Sequence, residues 1–126
     1  MESIKRLAIL DDYHDAALKL ADRQGLGDRV EVVSFREHIA GAEALLRTLA
    51  DFDAVVVMRE RKPLPGSLLS RLPRLKLIVT TGPWNASIDI ETATRLGIQV
   101  CGTRDVGHLT AELTLGLMLA LSRQLP

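Results

Sequence analysis

Several residue types are scarce in this 126-residue chain, and each scarcity closes off a class of function. Cys101 is the single cysteine, so an internal disulfide is excluded and a reducing cytoplasm is the expected setting. Aromatic residues make up 3% of the chain, and neither charge is in surplus: 16 Lys and Arg face 16 Asp and Glu. Such a chain has no global field to hold nucleic acid or an anionic membrane. Long apolar runs are missing too. The longest, Leu109 to Leu121, contains Glu112 and falls short of the roughly 18 to 20 residues of a membrane span. The apolar run after Met1–Arg6 is cut by Asp11–Asp12 too early for a signal peptide. His14, His38 and His108 are too far apart for a metal-ligand spacing and read as surface or capping residues. No G-x-G-x-x-G fingerprint exists: Gly25 and Gly27 share its first spacing, but Val30 takes the third place and a strand follows.

What is present is a regular alternation. Apolar residues are 47% of the chain, in short β-branched runs separated by longer amphipathic segments. That is the pattern of βα units around a parallel sheet. Strands are expected at Leu7–Leu10, Val30–Phe35, Ala54–Met58, Leu77–Thr80 and Ile98–Cys101. Helices are expected at Ala16–Ala21 (stopped by Gly25 and Gly27), Glu43–Ala50, Ser67–Leu72 and Ile88–Leu96. The second strand reads as an edge, and the unbroken apolarity of the third predicts burial on both faces. A single α/β domain with a doubly wound sheet of about five strands follows.

The last segment is different. Leu113 and Leu117 share one face of the Leu109–Leu121 helix, while Leu115, Met118 and Leu119 cover the others. A helix apolar nearly all round must be buried nearly all round. At about 25 cal/mol per Å² of apolar surface, several leucines left in water cost several kcal/mol, much of a small domain's stability. A small sheet offers it one side only, so the helix is expected to pack on another chain or domain.

A parallel sheet binds ligands at the carboxyl ends of its strands, here Asp11–Asp15, Arg59–Lys62, Thr80–Asn85 and Gly102–His108. Asp11–Asp12 invites a receiver-like signalling domain with carboxylates around a magnesium ion. That reading needs an aspartate after strand three and a lysine after strand five, where the chain has Met58-Arg59 and Gly102-Thr103-Arg104. Asp12 or Asp15 as a helix cap is the plainer role. A flavin phosphate loop fails because Asp12–Asp15 is acidic. Cys101 ends an apolar strand and reads as a buried, inert thiol.

Three stretches together resemble the N-terminal part of D-isomer-specific 2-hydroxyacid dehydrogenases. They are Met58-Arg59-Glu60-Arg61 with its proline turn, Leu75–Asp89 containing Thr80-Thr81-Gly82 and Asn85-Ala86-Ser87-Ile88-Asp89, and Thr110-Ala111-Glu112-Leu113-Thr114. Gly97-Ile98-Gln99-Val100 falls between them in the family's order and spacing. The resemblance implies a flavodoxin-like, three-layer substrate domain over residues 1–107. Residues 108–126 would then be an interdomain helix leading to a coenzyme domain. It further implies NAD or NADP and hydride exchange with a small 2-hydroxy or 2-keto acid. The family's catalytic histidine, its glutamate partner, its substrate arginine and its glycine-rich loop all follow the stretch matched here. The chain is therefore expected to be truncated before the coenzyme domain, without catalytic residues and silent alone. Self-association through Leu109–Leu121, as a dimer, is the companion expectation.

The resemblance also places residues. Arg59, Thr81, Gly82, Trp84 and Asn85 fall where the family lines its substrate cleft, with backbone amides of the Thr81–Asn85 loop facing a carboxylate. Thr110 falls near the nicotinamide. Many members have V-G where this chain has Pro83-Trp84. Pro83 has no N–H, so either the Trp84 and Asn85 amides serve or substrate binding is altered. A loop or interface aromatic is the other reading of Trp84, a solvated charge run that of Arg59, and a first-turn hydroxyl that of Thr110.

Overall fold

The computed structural model describes residues 3–22, 25, 29–105 and 107–125; Gly27 of the expected helix stop lies outside them. The elements follow in strict alternation: β1 (Arg6–Ile9), α1 (Ala17–Leu20), β2 (Glu31–Ser34), α2 (Ala42–Leu49), β3 (Ala54–Val57), a 3-10 turn (Arg59–Arg61), α3 (Gly66–Leu69), β4 (Leu77–Thr80), α4 (Ile90–Arg95), β5 (Gln99–Gly102) and α5 (Leu109–Ser122). The strands form one sheet in the order β2-β1-β3-β4-β5, and every pairing is parallel. From β1 the chain steps out to the β2 edge, then crosses back to β3. The switch in strand order therefore lies between β1 and β3.

Parallel register decides which side chains share a face. Val55 pairs with Ala8 and Ile78, and Val56 with Ile9 and Val79. Ala8, Val55, Val57 and Ile78 are fully buried with Leu45, Leu46 and Leu49 of α2, Leu68 and Leu69 of α3, and Ala93 of α4. That is the core. The opposite face is thinner: single-turn α1 sets Ala17, Leu18 and Leu20 beside Leu7, Ile9, Val32 and Val56 around an apolar groove of about 470 Å³. Val56 and Val79 are consequently half-buried. The expected burial of β3 on both faces is thus corrected: four helical residues cannot cover a five-stranded sheet.

Two carboxylates tie the ends of β1. The Asp12 carboxylate accepts the amides of Ala16 and Ala17 and the Ser34 hydroxyl, doing a cap's work from upstream of α1. Asp53, just before β3, accepts the amides of Lys5 and Arg6 and an N–H of Arg74. Burial pulls the Asp53 carboxyl up, but those amides and the guanidinium outweigh it and hold it below the usual carboxylate range. Asp12 is lowered likewise, its burial outweighed by the Ser34 hydroxyl, the Ala16 and Ala17 amides and the Arg36 charge. A carboxyl lowered in the folded state stabilises fully above its unfolded value of about 3.9 and loses that contribution as pH falls through the folded value. Urea midpoints of the wild type are expected to hold from pH 7 to pH 5 and fall below pH 4. Asp53→Asn should start lower at pH 7 and fall less in acid.

The last helix stands apart. Leu109, Leu113, Leu115, Leu117, Met118, Leu119 and Leu121 are each 56–79% exposed, and no residue of α5 is buried. Among the described residues, no helix is long and apolar enough to cross a membrane.

Candidate substrate site

The carboxyl ends of β3, β4 and β5 converge on one loop system. After β3 the backbone turns sharply: Met58 is extended and Arg59 adopts a left-handed φ of +49°. A residue with a Cβ pays for that conformation, so something must hold it. The Arg59 N–H donates to Thr81 Oγ1 at 3.1 Å, and the Arg59 carbonyl accepts from Asn85 Nδ2 at 2.6 Å. Asn85 also donates to Thr80 Oγ1 at 3.0 Å, and its Oδ1 accepts the Ser87 N–H at 2.9 Å.

The loop after β4 is held just as firmly from β5. Gly82, at φ +121°, donates its N–H to Thr103 Oγ1 and accepts the Thr103 N–H at its carbonyl, both at 2.8 Å. Gly102 allows the approach: a Cβ there would stand 2.6 Å from the Pro83 carbonyl oxygen and 2.7 Å from that of Gly82. The Arg59 guanidinium passes beside Gly82, with Nη1 3.6 Å from where a Cβ would be, and its Nη2 lies 3.5 Å from Asp105. An ion pair this exposed contributes about 0–1 kcal/mol, so Arg59 remains open to another carboxylate.

Arg59, Thr81, Gly82 and Asn85 are thus brought together, and Trp84 lies on the same loop, 70% exposed. Their roles differ from the expectation in one respect. The Thr81 amide is spent on Val57 O and the Gly82 amide on Thr103, so neither faces a ligand. Among the described residues, the Trp84 and Asn85 amides have no acceptor. Trp84 and Pro83 also wall a mostly apolar cleft of about 270 Å³ with Ile88, Ile90 and Val100. Thr110 is not drawn in: it is exposed on α5, where its carbonyl takes the Thr114 hydroxyl.

One cluster escaped the sequence reading. Asp11, fully buried at φ +56°, accepts Tyr13 OH at 3.1 Å and lies 2.9 Å from His38 Nδ1; its Oδ2 has no partner among the described residues. Lys62, also buried, donates to the Ile39 carbonyl and lies 3.3 Å from the His38 ring nitrogens. The only sequence signal was charge at three strand ends; burial of those charges is a tertiary result. His38 is therefore a surface histidine with a buried partner, and Cys101 is half-buried rather than buried.

Among the described residues no cluster of His, Cys, Asp or Glu could hold a metal ion. Nor do the residues present make a dinucleotide site. The turn from β1 into α1 is Asp11–Ala16, acidic and without glycine, and Thr110 alone cannot cradle a pyrophosphate.

The comparisons with known proteins agree with this geometry. The family model described as D-isomer specific 2-hydroxyacid dehydrogenase, catalytic domain, matches residues 7–120. A D-3-phosphoglycerate dehydrogenase of Methanocaldococcus jannaschii is 33% identical over 96% of this chain and 22% of its own length. A glyoxylate reductase of Thermococcus onnurineus is 34% identical over 71% of this chain and 27% of its own. Among solved structures, a phosphoglycerate oxidoreductase from Vibrio cholerae superposes with a TM-score of 0.83 at 37% identity, covering 98% of this chain and 39% of that one. D-lactate dehydrogenase from Escherichia coli shares the fold, with a TM-score of 0.76 at 18% identity over 94% of this chain and 38% of that one. The chain thus spans well under half the length of these relatives. The order of its strands, the two crossing loops and the match over nearly its whole length agree: this chain belongs to the D-isomer specific 2-hydroxyacid dehydrogenase family, through its catalytic domain.

Proposed function

We propose that the chain is the substrate-side wall of an NAD- or NADP-dependent 2-hydroxyacid dehydrogenase. In this reading it grips the carboxylate of a small 2-hydroxy or 2-keto acid between the Arg59 guanidinium and the amides of Trp84 and Asn85. The observation that carries the reading is the pairing of a weakly engaged guanidinium with two unspent amides on interlocked loops. Charge-assisted bonds from preorganised donors are the strong kind, and fixed donors lose little order on binding. Membership of the family supplies the reaction class.

The chain alone is proposed to be silent. Hydride transfer needs a nicotinamide held against the substrate, and this chain's residues do not form that cradle. The coenzyme would sit across the cleft, with Thr110 at its margin and α5 packed against the protein that carries it. Isolated, the chain would bury Leu109–Leu121 against a second copy, most simply as a C₂ pair. The lone cysteine and balanced charge support a cytoplasmic setting.

Trp84 is the only tryptophan, so its fluorescence reports directly on the loop. Glyoxylate is expected to quench it saturably. Arg59→Gln removes a charge-assisted bond of about 1.5–3 kcal/mol and should weaken binding roughly tenfold or more. Equal affinity in wild type and variant contradicts the assignment. NADH with glyoxylate should not be consumed, and clear turnover refutes the silence.

A further inference from the structure

We propose that the Asn85 side chain is a positioning group, acting on the substrate only through Arg59. This rests on the reading that Arg59 receives the carboxylate. The Asn85 side chain is buried, 7% exposed, and its hydrogen-bonding capacity is committed inside the protein. One amide proton serves the Arg59 carbonyl at 2.6 Å, the other Thr80 Oγ1 at 3.0 Å, and Oδ1 takes the Ser87 N–H. No donor is left for a ligand, so the side chain cannot be the substrate contact its sequence position suggests.

What it grips is unusual. Arg59 stands at φ +49°, a region L-residues occupy only when their surroundings impose it. Its N–H is taken by Thr81 and its carbonyl by Asn85, so both of its backbone polar groups are held by side chains flanking the β4 loop. Thr80, 2% exposed, fixes Asn85 in turn. The chain of bonds runs from a buried strand end to the exposed guanidinium. The same residue thereby lends its backbone amide to the site and aims the arginine beside it. Freed of Asn85, Arg59 relaxes to an ordinary backbone conformation and its guanidinium leaves the side of Gly82.

Two variants separate positioning from plain loop stability. Asn85→Asp keeps an acceptor for Ser87 and can take the Thr80 hydroxyl, but has no N–H for Arg59; Asn85→Ala removes the link without adding charge. In the full chain, NMR couplings and carbon shifts of Arg59 should show the left-handed conformation in wild type and lose it in both variants. Glyoxylate affinity, read from Trp84, should fall about tenfold, and the Arg59→Gln/Asn85→Ala double variant should bind no more weakly than Arg59→Gln alone. Arg59 remaining left-handed in both variants overturns the proposal, as do wild-type affinity in Asn85→Ala or additive losses in the double variant. A wild type that binds no glyoxylate removes the substrate reading, while the Arg59 backbone signature still decides what Asn85 does.

Discussion

Leu113→Glu/Leu117→Glu is expected to abolish the proposed self-association of the chain without unfolding it. Both leucines lie on one face of α5, a turn apart, and are 65% and 56% exposed in the single chain. The helix has 14 residues, about 21 Å at 1.5 Å per residue, and presents apolar side chains on every side. Monomeric proteins rarely expose a contiguous patch larger than a few hundred Å², so a second copy is its nearest cover. The domain itself should be indifferent, because no core residue belongs to α5. Exposed substitutions of this kind change stability by about 0.5 kcal/mol or less, and glutamate is a good helix former. Sedimentation at micromolar concentration should therefore show a dimer for wild type and a monomer for the variant, with thermal midpoints close together. A monomeric wild type removes the self-association reading.

Gly102→Ala should have the largest effect on the site itself. Its new Cβ would stand 2.6 Å and 2.7 Å from the carbonyl oxygens of Pro83 and Gly82, and 2.9 Å from the Pro83 carbonyl carbon. All three are backbone atoms, with no flexible side chain to swing aside. The loop after β4 must retreat, and with it go the Gly82–Thr103 bonds and the seat of the Arg59 guanidinium. Overpacking of this kind costs about 1–3 kcal/mol. Binding of glyoxylate should weaken more than stability, because the amides of Trp84 and Asn85 move together. Gly116→Ala is the matching control: a Cβ there meets nothing within 4 Å, and an exposed helix interior gains about 1 kcal/mol. A Gly102→Ala protein with wild-type affinity shows that the loop's position is not what binds.

Much of the architecture was legible because its signals are local. Runs such as Ala54–Val57 and Leu77–Thr80 are strands by composition, and the alternation with amphipathic segments is enough for a parallel sheet. Helix ends were less legible. The segment around Ala17–Leu20 is one turn, its N-terminal amides taken by the upstream Asp12 and its C-terminal end set by an extended Ala21. That Arg59, Thr81, Gly82 and Asn85 gather at one end of the sheet was also legible, through their order along the chain. Their duties were not. Thr81 and Gly82 look like amide donors in one dimension, yet their amides are consumed by Val57 and Thr103, partners distant in sequence. The left-handed Arg59 and the buried Asp11 and Lys62 flanking His38 were invisible for the same reason: nothing local in Met58-Arg59-Glu60 or Arg61-Lys62-Pro63 announces strain or burial.

The most direct measurement is a glyoxylate titration of the full chain followed by amide NMR. Saturable shifts concentrated at the Trp84 and Asn85 N–H groups, with the Arg59 side-chain N–H moving in step, are the predicted result. Amides of that loop left unmoved at saturating glyoxylate, or shifts gathered elsewhere on the sheet, contradict the account.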